Sequence, residues 1–140
     1  MQNNNTITQT QNKVLFPLGQ VFLTVGAREA LKESNESASE FLAKHSTGNW
    51  GDVCEEDAEE NNFSVREGFR ILSVYKTGRG EKIWVISEAS GESTTILLPE
   101  EYGLIKRLAG FYLASLFLVI ISKLTEEITN NLIAQMEVGL

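Results

Sequence analysis

Residues 69–98 alternate between hydrophobic and polar positions with a two-residue period, which predicts β-strands rather than helices. Three such runs, residues 69–76, 81–88 and 93–98, are separated by the sequences TGRG and SGE. Both separators contain the glycine and small polar residues that favour tight turns. Because short turns join strands that run in opposite directions, the pattern predicts a three-stranded antiparallel β-meander.

The middle run of the three is hydrophobic on both sides. Trp84 and Ile86 fall on one face, and Ile83 and Val85 fall on the other. A strand with one face in water normally carries polar residues there, so we expect both faces of this strand to be covered. Upstream, residues 14–25 (VLFPLGQVFLTV) are rich in β-branched and aromatic residues. They predict one or two short extended segments, interrupted at the PLG sequence.

The region between these two parts has a helical pattern. Residues 27–34 predict a short helix, and a second helix is expected to begin at Ser37 and to end before Gly48. Ser37 is followed three residues later by Glu40, which is the spacing of a capping box.

Asp52 and Glu55 repeat the capping-box spacing and predict a third helix over residues 53–61. This helix has few apolar residues, so we expect it to lie on the surface. Its many carboxylates complement the helix dipole near the N-terminus. They are Glu55, Glu56, Asp57, Glu59 and Glu60.

The C-terminal tail contains fifteen consecutive uncharged residues, LAGFYLASLFLVIIS, at positions 108–122. They predict a helix over residues 104–123 that is apolar on all sides, as is typical of burial in protein or in lipid. The uncharged run would be about 22 Å long, which is shorter than the roughly 30 Å hydrocarbon core of a membrane. An amphipathic helix is predicted over residues 124–137. The alternatives are packing against the domain, self-association as a homo-oligomer, and membrane association through residues 108–122.

Together these patterns predict an α+β fold, with short helices and a three-stranded antiparallel meander followed by an apolar helical tail. We assign residues 1–13, which are rich in Asn, Gln and Thr, to a disordered leader. Residues 14–102 form the predicted compact domain, and residues 103–140 form the tail.

Charge narrows the range of partners. The chain has 12 Lys and Arg against 19 Asp and Glu, for a formal net charge of −7, and it has no basic run. Direct nucleic-acid binding depends on basic side chains that displace counterions from phosphates, so it is not expected here. The interrupted apolar segment near the N-terminus does not fit a signal peptide, and we therefore expect a cytoplasmic protein.

The candidate catalytic chemistry centres on His45. Cys54 is the single cysteine and His45 the single histidine, which excludes both an internal disulfide and the usual structural zinc sets. If the protein were an enzyme, His45 with Asp52 and neighbouring carboxylates would form the site of a small nuclease- or hydrolase-like effector. However, the carboxylates around Cys54 oppose formation of a thiolate, and no oxyanion loop is evident. We therefore predict no catalytic residue.

The acidic third helix is the stronger candidate for a binding surface. Its carboxylates spread around the helix and lack the loop spacing of a calcium site, so we predict neither a metal nor a cofactor. An acidic surface can instead imitate a phosphate backbone and steer a basic protein partner towards it. The predicted binding residues are Trp50, Asp52, Glu55, Glu56, Glu59 and Glu60.

Several segments give the chain a family resemblance over residues 16–102: FPLGQ, AREAL, EFLAKHSTGNWGD, EED, ILSVYKTGRGEKIWVISEAS and TTILLPEEY. They resemble a family of small bacterial plasmid-related proteins carried on plasmids and other mobile elements, some of which carry a restriction-modification subunit label. The resemblance implies a compact cytoplasmic domain associated with mobile DNA, and it implies no activity. Family members usually end near the equivalent of Tyr102, so nothing about the tail follows from it.

These observations favour a non-enzymatic protein-interaction module of a mobile element, acting on host defence through its acidic surface. The alternatives are the small effector enzyme built on His45 and a membrane-tethered domain.

Overall fold

The secondary structure was obtained from a computed structural model, which describes residues 13–138 without the side chains of residues 109, 111–113, 131 and 136–138. The predicted leader lies outside the described residues, apart from Lys13. The strands are β1 (Gln20–Leu23), β2 (Ile71–Lys76), β3 (Lys82–Ser87) and β4 (Ser93–Leu97). The helices are α1 (Val25–Ser34), α2 (Ala38–Ser46), α3 (Glu55–Glu67), a short 3-10 helix (Ala89–Gly91) and α4 (Pro99–Val138).

The sheet has four strands in the order β1-β4-β3-β2, and it is mixed rather than purely antiparallel. Its antiparallel part, β2-β3-β4, is the predicted meander. The extended segment predicted within residues 14–25 is β1, but the prediction did not place it in the sheet, where it begins immediately after Gly19 and pairs in parallel with β4. Gly19 has a φ of +61°, and a Cβ there would lie 2.3 Å from the carbonyl oxygen of Glu92. The chain can therefore approach the start of β4 closely only because this residue has no side chain.

The core lies between one face of the sheet and helices α1 and α2. Buried side chains from both helices pack with the inward-facing residues of the three meander strands, and these residues form one cluster: Ala27, Leu31, Phe41, Tyr75, Ile83, Val85 and Ile96. On the opposite face of β3, Ile86 is also buried. The alternating apolar pattern of the sheet thus generates the main core.

Capping residues define where the first two helices begin. The Thr24 hydroxyl accepts a hydrogen bond from the amide of Ala27 at the start of α1. Ser37 is the N-cap of α2, as predicted, but its hydroxyl accepts from the amide of Ser39 instead of that of Glu40. The position of the cap was therefore predicted from the sequence, and its hydrogen-bond partner was not.

The prediction for α3 was wrong at both ends. The N-cap is Cys54, whose sulfur accepts from the amide of Asp57, and the helix continues to Glu67. Asp52 does not cap it: the Asp52 amide donates to the carbonyl of Val74 in β2 at 2.6 Å, and the Asp52 carboxylate pairs with the Lys76 ammonium. Pairing of this loop with the sheet therefore delays the start of the helix.

The two predicted tail segments are parts of one continuous helix, α4. The chain divides into two compact units, Met1–Glu101 and Tyr102–Leu140. In the second unit, large apolar side chains such as Leu118, Ile121 and Ile128 are exposed. In the part of the chain that the structure describes, no helix is both long enough and apolar enough to cross a membrane.

Candidate functional site

A groove of about 740 Å³ runs between α3 and the edge strand β2. Asp57 and Glu60 of α3 line it, together with Asp52 from the preceding loop. Leu72 and Val74 of β2 supply apolar lining. Arg70 lines it as well, so three carboxylates share the groove with one guanidinium and with the apolar side chains of β2. The excess of carboxylates suits a ligand that carries both basic and apolar groups.

Two exposed phenylalanines also line this acidic groove. Phe63 in α3 is 46% exposed and Phe69 is 55% exposed, and their ring centroids are 5.9 Å apart. The guanidinium of Arg66 lies 5.8 Å from the centre of the Phe63 ring. Exposed aromatic pairs are unusual on a surface that binds nothing, because covering them removes a large apolar area from water.

The acidic groove contains some of the predicted binding residues and excludes others. Asp52 and Glu60 line it, whereas Glu55, Glu56 and Glu59 are exposed on α3 outside it. The Asp52 carboxylate also lies 3.4 Å from the Lys76 ammonium, in a solvent-exposed ion pair. Asp57 was recognised as one of the acids of the helix but was not chosen as a binding residue, although it lines the groove. Phe63 and Phe69 also line it, and the prediction missed them because it ended the helix too early and treated the acids without their apolar neighbours.

Trp50 is buried, and it fixes the loop that precedes α3 instead of contacting solvent. Its indole N–H donates to the side-chain oxygen of Asn62, and its ring packs against Phe16 and His45. The next residue, Gly51, forms a parallel bridge with Val74. The loop is thus held both by the core and by the strand.

This loop and α3 together cover the free edge of β2. Val74 donates to the carbonyl of Trp50 and accepts from the amide of Asp52. The side chain of Asn61 bonds to Leu72 in the same way. Its nitrogen donates to the backbone carbonyl of Leu72 at 2.8 Å, and its oxygen accepts from the backbone N–H of Leu72 at 3.2 Å. The side-chain amide of Asn61 therefore makes the two hydrogen bonds that a peptide group of a neighbouring strand would make. As a result, a ligand in the groove contacts side chains and not the free edge of a strand.

His45 lies in the core, away from solvent, and its exposed fraction is 0%. Its Nδ1 is 2.6 Å from the Ser73 hydroxyl, and its Nε2 is 2.9 Å from the Ser87 hydroxyl. The Ser87 hydroxyl is 2.6 Å from that of Thr94, which donates to the carbonyl of Leu18 at 2.7 Å. Burial lowers the pKa of His45 to about 4, so the ring is neutral at pH 7.

The proton positions in this His45 network follow from counting donors. A carbonyl only accepts, so the single hydroxyl hydrogen of Thr94 points to Leu18, and Ser87 must donate to Thr94. The oxygen of Ser87 then accepts from Nε2–H of His45. Because a neutral imidazole has one N–H, Nδ1 accepts the hydrogen of Ser73. Every group in the network has one consistent role.

His45 accepts the hydroxyl hydrogen of Ser73, as a general base would, and donates to Ser87. Both His45 and Ser73 are fully buried, however, so no substrate in solution reaches this pair. Nor does His45 bond to Asp52, since hydroxyls occupy both of its ring nitrogens. Within residues 13–138, no group of three or more His, Cys, Asp or Glu side chains is placed to hold a metal ion. The geometry therefore provides His45 with a structural role.

Comparisons of the chain with protein-family models, with curated proteins and with solved structures found no match. Its function has therefore to be inferred from the geometry of the acidic groove and from the residues that form it.

Proposed function

We propose that the protein is a non-enzymatic interaction module that binds a basic segment of a partner protein in the acidic groove between α3 and β2. The observation that carries this proposal is the combination of Asp57 and Glu60 with the exposed Phe63–Phe69 pair around one groove. Carboxylates recruit Lys and Arg, and the aromatic rings anchor an apolar side chain.

The chemistry of the groove defines the kind of segment it accepts. The covered edge of β2 offers no row of free peptide groups, so recognition takes place through side chains. A suitable segment has Lys or Arg on one side and a bulky apolar residue on the other. Such segments are common on nucleic-acid-binding proteins, whose basic surfaces an acidic groove can occupy in place of a phosphate backbone.

The sequence resemblance to plasmid-borne proteins supports the biological part of the proposal. A mobile element benefits from a small factor that occupies the DNA-binding surface of a host-defence protein. In this interpretation the module acts in the cytoplasm as an accessory protein of a plasmid or other mobile element, and the acidic groove is its working surface.

Titration with fluorescein-labelled peptides of defined composition tests the proposal. We expect a peptide with both Lys and Leu to bind, as measured by fluorescence polarisation, and peptides with Lys alone or with Glu and Leu to bind more weakly. The double variant Asp57→Asn/Glu60→Gln should weaken binding about tenfold, because each charged contact at an exposed interface contributes roughly 1 kcal/mol or less.

The matched control is Glu29→Gln/Glu40→Gln, which removes the same charge from exposed positions on α1 and α2. It should leave the affinity within about twofold of the wild type, because these carboxylates do not line the groove. Equal loss in both double variants would mean that only net charge matters. That result, or equal binding of all three peptides, would contradict the proposed site.

A further inference from the structure

The two edges of the sheet differ in how they are covered. At the β2 edge, the outward-facing peptide groups of Leu72 and Val74 are bonded to Asn61 and to the loop of Trp50 and Asp52. At the opposite edge lies β1, and within residues 13–138 it pairs only with β4, on its inner side. An open strand edge can pair with a strand of another molecule. Proteins normally prevent this with a charged residue, a proline or a covering element at the edge.

The outward-facing groups of β1 can be identified from its hydrogen bonds to β4. The Gln20 amide donates to the carbonyl of Glu92, just before β4, and the Thr24 amide donates to that of Ile96 in β4, each at 3.0 Å. The register pairs Phe22 with Thr95. Because consecutive residues of a strand point their peptide groups to opposite sides, those of Val21 and Leu23 face outwards. Among the described residues, none donates to or accepts from them.

The side chains of β1 also distinguish this edge of the sheet from the covered β2 edge. Val21 is 44% exposed, Phe22 is 47% exposed and Leu23 is 39% exposed. The strand contains no charge, no proline and no bulge over Gln20–Leu23. In the part of the chain that the structure describes, one edge is therefore covered by three separate groups, and the other is open and apolar.

We propose that β1 pairs with β1 of a second copy of the chain, in antiparallel orientation about a two-fold axis, to form an eight-stranded sheet. An uncharged strand suits self-pairing in a molecule of net charge −7, because it brings the two copies together where no like charges meet. Since the β2 edge is covered, growth stops at two copies instead of continuing into a fibre.

The outward-facing residues fix the register of this dimer. Val21 faces Leu23 of the second copy, and the two symmetric pairs exchange four backbone hydrogen bonds. Phe22 then lies opposite its own equivalent at the axis, in a non-hydrogen-bonded pair with a Cα separation of about 4.5 Å. Aromatic side chains opposite each other across two strands add to the stability of such a pair.

Sedimentation equilibrium of the full chain tests the pairing. We expect a dimer for the wild type and a monomer for Val21→Lys, because the two-fold axis brings both new ammonium groups to the same edge. The matched control is Val14→Lys, which adds the same charge at a residue 61% exposed outside the strand, and it should remain dimeric. Far-UV circular dichroism establishes that each variant is folded.

Disulfide trapping tests the register independently of the charge variants. In a Cys54→Ser background, which retains an N-cap for α3, Phe22→Cys places two sulfurs at the axis, within the Cα range that a disulfide accepts. We expect a covalent dimer under mild oxidation, and far less of one for Val14→Cys in the same background.

Three results would overturn the proposal: a monomeric wild type, a dimer that persists in folded Val21→Lys, or equal cross-linking of the two cysteine variants. The second result would assign association to a different surface, the tail included. Peptide binding in the acidic groove does not depend on β1, so failure of the dimer would leave the proposed function intact.

Discussion

His45 shows how one buried polar residue can be accommodated without a charge. Both ring nitrogens have hydroxyl partners, and within the described residues no buried side-chain nitrogen or oxygen is left without a hydrogen bond. Protonation of Nδ1 would set its N–H against the hydroxyl hydrogen of Ser73, while burial already opposes the charge. Both effects favour the neutral ring.

This lowered pKa makes folding stability depend on pH. The pKa of His45 is about 4 in the folded chain against an ordinary value of 6.5. The unfolded chain therefore binds the extra proton between these values, and stability falls as the pH drops from 6.5 towards 4. We expect a loss of about 2 kcal/mol between pH 7 and pH 5, measured by urea unfolding.

His45→Gln is the control for this pH dependence, because it cannot titrate in that range. It should be less stable than the wild type at pH 7, yet its stability should change little between pH 7 and pH 5. A wild-type stability that is equal at the two pH values would contradict the assignment of a neutral, buried ring.

Gly51 is the residue whose replacement we expect to be most damaging. Its φ is +72°, and a Cβ there would lie 2.0 Å from the Val74 carbonyl oxygen. Gly51→Ala should lower the free energy of unfolding by about 3 kcal/mol or more, through backbone strain and loss of the loop's bonds to β2. Thermal and urea unfolding would measure this change.

Gly68 is a suitable control, since its φ of +71° matches that of Gly51 while nothing lies within 4 Å of an added Cβ. Gly68→Ala should cost only about 1–2 kcal/mol, the strain of a left-handed backbone. Similar losses in both variants would indicate that contact with Val74 contributes nothing.

Little of this residue-level detail can be predicted from the sequence. Trp50 was predicted as a binding residue, but its side chain is buried and its indole holds a loop through Asn62. Ser73, Ser87 and Thr94 carry no sequence signal as partners of His45. They meet it only because the register of the sheet places them on one face.

At the scale of the elements, the start of α1 is hydrogen-bonded to Glu101, a residue far from it in sequence. One carboxylate oxygen of Glu101 accepts from the amide of Gly26 at 3.1 Å, and the other accepts from the Thr24 hydroxyl and the Leu98 amide. Partial burial alone would raise the pKa of Glu101, but these three donors hold it below its ordinary value. The carboxylate thus acts as a second cap for the helix.

Replacing this carboxylate should destabilise α1. Glu101→Gln keeps the shape but presents an amide group where donors converge, so we expect a loss of about 1 kcal/mol at pH 7. Because the folded pKa of Glu101 is lowered, its contribution is present above the ordinary pKa of 4.5 and is lost as the pH falls below it. Urea unfolding at pH 7 and pH 3 would measure both effects.

The neighbouring Glu100→Gln serves as the control, since Glu100 is exposed. It should change the free energy of unfolding by only a few tenths of a kcal/mol. If Glu101→Gln and Glu100→Gln changed the free energy of unfolding equally, the hydrogen bonds of Glu101 to the start of α1 would contribute nothing to stability.

Element boundaries were predicted where local chemistry decides them. The meander followed from its two-residue period, and Ser37 was correctly identified as a cap. The start of α3 was not, because pairing of Asp52 with Val74 joins residues far apart in sequence. β1 was seen as an extended segment, but local pattern cannot reveal that it pairs in parallel with β4.

At the scale of the whole molecule, the net charge of −7 should control how fast a basic partner arrives. Long-range attraction raises association rates and is screened by salt, whose Debye length falls from about 10 Å at 0.1 M to about 3 Å at 1 M. In stopped-flow mixing with the Lys- and Leu-containing peptide, we expect the association rate constant to fall steeply with salt and the dissociation rate constant to change less.

Phe63→Ser separates the contribution of the aromatic contact to binding from that of long-range charge attraction. It removes an exposed aromatic ring without changing charge, so dissociation should accelerate while the salt dependence of association stays the same. A change in the salt dependence instead would show that the ring acts on the approach of the peptide and not on the bound state.

The hydrogen-bond network around His45 makes the Nε2 proton of its ring a probe of local opening. Its Nε2–H points at Ser87 inside the core, where solvent cannot reach it without a large opening of the sheet and α2. That single proton should therefore exchange with deuterium far more slowly than an imidazole proton in water. Its NMR resonance would report the free energy of opening at one known position, without a label or a substitution.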